Sequence, residues 1–203
     1  MKELNLVPLD AELIPEDLQG LIASLGEVGF LGKAIGDPEE TAYRTGPRFF
    51  EFVEFESSHP IIHLKNVNGE LVPSEVTDSR DECTISFEEV GDSPEFLGGA
   101  PTEAPLCGKC GHVEEEWPDM ISDWYPRKLE HRWICPNCRA VQRVYDMDWQ
   151  DCASFGRFRI SIGSIAFREA APTQNLFDEL LRVTGFPWKH FYFDDNPTGI
   201  QWD

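Results

Sequence analysis

Cys107-Gly108-Lys109-Cys110-Gly111 and, after a gap of 24 residues, Cys135-Pro136-Asn137-Cys138 carry the spacing that decides how this chain folds. Two residues between cysteines let one tight turn aim both sulfurs at one ion while backbone amides point toward the thiolates. Two such turns supply a tetrahedron of sulfur, the arrangement Zn²⁺ takes in closed structural sites. Gly108 and Gly111 permit the tight turn, and Pro136 presets its backbone. The gap is somewhat longer than in the commonest paired-knuckle pattern, which only lengthens the loop between the knuckles. With four thiolates bound, zinc has no open position for water, so such a site serves folding rather than catalysis.

Other uses of paired cysteines fit less well. An iron centre of rubredoxin type has similar knuckles, since thiolate tetrahedra also accept iron. A thioredoxin-like redox pair needs a single pair at the start of a helix, and Gly111-His112 is a poor helix opening. Disulfides call for an oxidising compartment, and Met1-Lys2-Glu3-Leu4 does not read as a signal peptide. His112 and His131 flank the knuckles as neighbours rather than ligands. Cys83, in the alternating run Cys83-Thr84-Ile85-Ser86-Phe87, and Cys152 read as small apolar core residues.

Residues 104–146 resemble the zinc-ribbon superfamily, in which two such knuckles sit on facing β-hairpins. The resemblance implies a structural Zn²⁺ held by Cys107, Cys110, Cys135 and Cys138, and it extends no further along the chain.

Outward from the knuckles, the pattern predicts an α+β fold: antiparallel sheet with few helices and an inserted four-cysteine ribbon. Pro15-Glu16-Asp17-Leu18 opens a helix whose apolar face is Leu18, Leu21, Ile22 and Leu25, with Gly26 as its end. Phe49 to Phe55 is rich in strand formers. Ile61 to Leu64 and Leu71-Val72 flank Asn68-Gly69, a hairpin signal. Cys83 to Phe87 adds a strand, and Asp92 to Pro101 reads as a turn-rich connector. Beyond the knuckles, Phe155 to Ile165 is a strand and Thr173 caps a helix carrying Leu176, Phe177, Leu180 and Leu181. Gly185 stops that helix, and Trp188 to Phe193 is a last strand. Residues 1–100 thus form an acidic α+β region, 101–146 the ribbon, and 147–203 a β-α-β segment completing the α+β domain.

Charge narrows the function. The chain has 203 residues, 37 acidic and 17 basic side chains, and a net charge of −20. Hydrophobic residues at 41% suffice for a core, which argues against wholesale disorder. No apolar run approaches the roughly 20 residues of a membrane span, so a soluble cytoplasmic protein is expected. Residues 1–100 hold 6 basic and 21 acidic side chains, whereas Arg127 to Arg168 holds 8 basic and 4 acidic. A strongly acidic front weakens any reading that depends on gripping phosphates.

Catalytic motifs are missing: there is no serine-hydrolase elbow, HExxH, dinucleotide GxGxxG or deaminase His-x-Glu. Asp146, Asp148 and Asp151 read as a solvated loop before a Mg²⁺ or Ca²⁺ site. Trp117, Trp124, Tyr125, Trp133 and Trp149 are interleaved with Arg127, Lys128, Arg132, Arg139 and Arg143. These rings can cover the metal site as core, anchor a protein contact, or stack bases. The functional expectation is a non-enzymatic, zinc-stabilised acidic module that binds a basic protein. A concrete form is an intracellular inhibitor or immunity protein against a bacterial nuclease-type toxin, its acidic face imitating nucleic acid. Glu51, Glu54, Glu56, Trp117, Trp124, Arg127 and Arg132 are its candidate contact residues. The alternative is a nucleic-acid-binding zinc ribbon using the Arg/Trp-rich segment 117–168.

Overall fold

Leu4 and Leu6 alternate with Glu3 and Asn5 in strand β1 (Lys2–Pro8), the second strand from one edge of a six-stranded antiparallel sheet. The computed structural model describes residues 2–36, 42–56, 60–67, 70–78, 83–100, 102–165 and 167–195, with backbone alone over 60–78. After β1 come α1 (Leu18–Glu27), β2 (Leu31–Ile35), β3 (Ala42–Thr45), β4 (Val53–Phe55), β5 (Pro60–Val67), β6 (Glu70–Asp78), β7 (Thr84–Glu89) and β8 (Glu95–Gly98). Then follow α2 (Trp117–Trp124), β9 (Trp133–Ile134), β10 (Val141–Gln142), β11 (Ala153–Gly156), β12 (Phe158–Gly163), β13 (Ala170–Pro172), α3 (Gln174–Thr184) and β14 (Trp188–Asp194). The main sheet runs β14-β1-β12-β7-β3-β2, so strands from both sides of the cysteine knuckles lie side by side. The join is β7 to β12, in register from Phe158 opposite Glu89 to Ile162 opposite Ile85. The fold is α+β and mostly antiparallel sheet, as the patterning predicts.

One face of the sheet is covered by both long helices. Leu4, Leu6, Ile85, Phe158, Ile160 and Ile162 pack there against Leu21 and Leu25 of α1 and Leu176 and Leu180 of α3. Burying a side chain of this size contributes roughly 1.5–3 kcal/mol. Helix α1 starts at Leu18 because Asp17 is its N-cap, its carboxylate accepting from the Gly20 amide at 2.8 Å. It runs through Gly26, which does not end it; the chain turns at Gly29, whose φ of +83° suits glycine. Helix α3 ends at Gly185 in the left-handed conformation, as expected. Thr173 precedes α3 but does not cap it with its side chain: its hydroxyl donates instead to the Glu51 carbonyl at 2.9 Å.

Several expected elements come out differently. Phe49–Glu51 is a 3₁₀ turn, and only Val53–Phe55 is strand. The reason is that Phe49, Phe52 and Val53 all enter the same core, which an alternating strand does not allow. The run from Phe155 breaks at Arg157 into β11, which pairs with β8, and β12, which joins the main sheet. Strand β8 itself occupies the expected connector. The hairpin of β5 and β6 forms, while its Asn68-Gly69 turn lies outside the described residues.

A second core lies around the knuckles. Trp117, Met120, Ile121, Trp124, Trp133, Tyr145, Trp149 and Phe155 are buried together with Cys107 and Cys135. Phe155 is its hub, with ring centroids 5.0–6.0 Å from Phe96, Trp124, Tyr145 and Trp149.

Candidate metal centre

The two knuckles are built to the same pattern. In the first, the Cys107 amide donates to the His112 carbonyl at 2.8 Å and the Gly111 amide to the Cys107 carbonyl at 2.9 Å. In the second, the Cys135 amide donates to Ala140 at 2.9 Å and the Arg139 amide to Cys135 at 2.9 Å. Gly111 and Arg139 are equivalent positions, each just after the second cysteine, and both are left-handed, with φ of 68° and 62°. Glycine takes that conformation freely and arginine does not. The short strands β9 and β10 flank the second knuckle and hold its ends together through Val141 opposite Ile134.

All four sulfurs lie within 4.8 Å of one another, and they are the one such group of possible metal ligands among the described residues. Cys107 to Cys138 is 3.8 Å and Cys110 to Cys135 is 3.7 Å. A tetrahedron of sulfurs about 2.3 Å from a central ion has an edge of about 3.8 Å. The sulfurs are thus set for an ion and are too far apart for disulfides, for which S–S is about 2.05 Å. The Asn137 side-chain amide and the Cys138 backbone amide approach Cys110 and Cys135, each at 3.5 Å, as donors toward thiolate.

The donor set needs a cation on chemical grounds too. The Cys110 thiol, facing the His112 amide, is drawn down to about 6. The Ala140 amide favours the Cys138 thiolate, yet desolvation and the adjacent sulfurs push that thiol up to about 12. A dication among four thiolates removes this conflict. Cys107 and Cys135 are buried against the tryptophan core and Cys110 and Cys138 face solvent, so an ion here ties that core to the surface. The four residues can hold a metal ion, as the spacing predicts.

The remaining cysteines behave as core. Cys83 and Cys152 are buried, and burial pushes the Cys152 thiol up to about 11. His112 and His131 stand outside the sulfur group.

The other candidate residues scatter. Trp117 and Trp124 are 9% and 0% exposed and sit inside the second core, which corrects their placement as contact residues. Trp133 and Trp149 are buried there too; small segments with little core fill it with large rings. Arg127 and Arg132 are exposed, but each bonds backbone nearby, Arg127 to the Asp123 carbonyl and Arg132 to the Leu129 and His131 carbonyls. Glu51 is held by Arg48 through paired bonds of 2.9 and 2.6 Å. Glu54 and Glu56 are exposed on and beside β4, with no ion pair among the described residues, and they line a cleft that also contains Asp151 and His190. Nothing in the sequence marked that cleft, because its walls come from four distant stretches. Asp146 is engaged by Arg143 at 2.8 and 3.0 Å, and Asp148 accepts from the Gln150 amide at 2.9 Å. No helix among the described residues is long and apolar enough to cross a membrane. No family model matches the chain, and neither a curated protein nor a solved structure is similar enough to it to count as a match.

Proposed function

We propose that this chain is a non-enzymatic, zinc-stabilised module of the cytoplasm whose acidic face binds a basic protein. Its knuckles act as a structural zinc ribbon. Four thiolates fill the coordination of a zinc ion, leaving no position for water or substrate at that centre. The observation that carries the binding function is the pair Glu54 and Glu56, exposed without an ion pair among the described residues on a chain of net charge −20. Such a surface raises the encounter rate with a basic partner and repels polyanions. The concrete form we favour is an inhibitor or immunity protein that occupies the nucleic-acid groove of a nuclease-type toxin.

Burial of Trp117, Trp124, Trp133 and Trp149 counts against the nucleic-acid alternative, because those rings are not available to stack on bases. Affinity capture of the tagged protein from its own host, with and without nuclease, separates the two. A stoichiometric basic protein that survives nuclease and is released by salt is the expected result. Captured material that disappears with nuclease overturns it in favour of the arginines around the knuckles.

A further inference from the structure

The cleft beside β4 has a chemistry more specific than negative charge. It encloses about 540 Å³, with Glu54 and Glu56 on one wall, Ala170 and Ala171 of β13 at the side, and His190, Tyr192 and Asp151 opposite. The side wall is fixed by pairing of Ala171 with Glu54 and of Ala170 with Phe55. The far wall is fixed by the Tyr192 amide donating to the Asp151 carbonyl and the Tyr192 hydroxyl donating to the Ala170 carbonyl, both at 2.8 Å. The cleft is therefore rigid on all sides.

Asp151 meets His190 at 3.9 Å, too far for a hydrogen bond. Burial holds the His190 imidazole below its usual pKa, so at neutral pH the ring leaves the Asp151 charge standing. The Tyr192 hydroxyl is held up first by burial and then by the charges of Asp151 and Glu56, which places both carboxylates toward the same space. Carboxylates on facing walls with flat aromatic and imidazole rings between them match a planar cation. A guanidinium bonds carboxylates in its plane and stacks through its faces, whereas an ammonium does neither as well. Arg168, at the mouth, lies over the Phe167 ring at 4.7 Å and can meet a carbonyl of the incoming chain. Beyond Asp151 and His190 the concavity continues into a second lobe of about 330 Å³, so the whole is an elongated groove rather than a pit.

We propose that this cleft takes an arginine side chain from an extended basic segment of the partner, clamped between Glu54 and Asp151. The proposal rests on the reading of the chain as an acidic binding module and names the contact it uses.

The test is calorimetric titration of the full, metal-loaded protein with nona-arginine and nona-lysine at low salt. It is run on the natural chain, on Asp151→Asn, on Glu54→Gln/Glu56→Gln, and on Glu115→Gln/Glu116→Gln as a control of equal charge change. Asparagine is chosen because Asp151 has a φ of 58°, which Asn tolerates. The expected result is tighter binding of nona-arginine than nona-lysine, by about fivefold or more. Asp151→Asn and the Glu54/Glu56 pair each weaken it about tenfold, and the control pair changes it by less than about twofold. Amide resonances of Asp151, Ala171 and His190 should shift on addition of nona-arginine. Equal loss in the control and cleft variants overturns the cleft while leaving a diffuse acidic surface intact. Failure of both peptides to bind the natural chain overturns the acidic-module reading itself.

Discussion

The two cores of this molecule are made differently. The larger is aliphatic sheet and helix: Leu4, Leu6, Ile85, Ile160 and Ile162 against Leu21, Leu25, Leu176 and Leu180. The smaller is aromatic, four tryptophans and Phe155 around two of the four cysteines, with only the short helix α2 and two-residue strands to support it. A core of the first kind follows from patterning repeated over many strands. One of the second kind has too few regular hydrogen bonds to hold its shape and leans on the cross-link that a metal supplies.

Removing the metal should break this contrast most visibly. Structural zinc sites contribute apparent free energies of roughly 10–16 kcal/mol at neutral pH, so a chelator should unfold the smaller core outright. Tryptophan fluorescence reads this directly, because Trp117, Trp124, Trp133 and Trp149 all lie there, while Trp188 belongs to the larger core. The expected outcome is a large red shift with most of the β-sheet circular dichroism retained. Cys135→Ser should do the same, and Cys152→Ala should keep its metal. Metal affinity should fall as pH falls, because protons compete for the thiolates; a titration of bound metal against pH checks the sign.

Core substitutions sharpen the comparison. Phe155→Ala should cost about 3–5 kcal/mol and weaken metal binding with it, whereas Ile160→Ala should cost about 2–5 kcal/mol without changing metal affinity. Denaturant melts paired with metal-competition titrations would distinguish them; equal effects on affinity would mean the two cores act as one.

Smaller effects test each core's fastenings. Glu179 accepts from Ser24 at 2.8 Å and from Arg182 at 2.9 Å, joining α3 to α1. Its carboxyl is lowered below 4.5, first by the bond from Arg182. The stabilisation it gives is complete above about pH 4.5 and lost as pH falls through the lowered value. Glu179→Gln should cost less than about 1 kcal/mol and flatten the acid limb of a stability profile, since Arg182 is largely exposed. Arg139→Gly should raise the stability of the second knuckle by up to about 1 kcal/mol, because it relieves a left-handed arginine; a competition assay for metal would show it.

What could be read from the residue string follows the same division. The four ligands were legible because two residues between cysteines leave few other uses. Helices α1 and α3 were legible from leucine spacing, apart from the exact ends. Strand β1 was not, although it is central: Glu3 and Asn5 are buried in it, so its polar face did not look like surface or its apolar face like an edge. Those polar groups bond one another, Ser161 donating to Asn5 at 2.6 Å. Helix α2 is eight residues long with a proline at its start, too short for a periodic signal. The arginine-sized cleft was invisible because residues 54, 151, 171 and 190 meet only through the finished sheet.

The position of β1 has a consequence for how the molecule comes off the ribosome. Its two neighbours are β12 and β14, so Leu4 and Leu6 have no strand beside them until residues near 160 emerge, and a second only after residues near 190. Both knuckles close within a span of 31 residues that is synthesised earlier. On the nascent chain, metal capture therefore precedes completion of the sheet. A cell short of metal would hold this protein with its first strand waiting, its leucines open to chaperones.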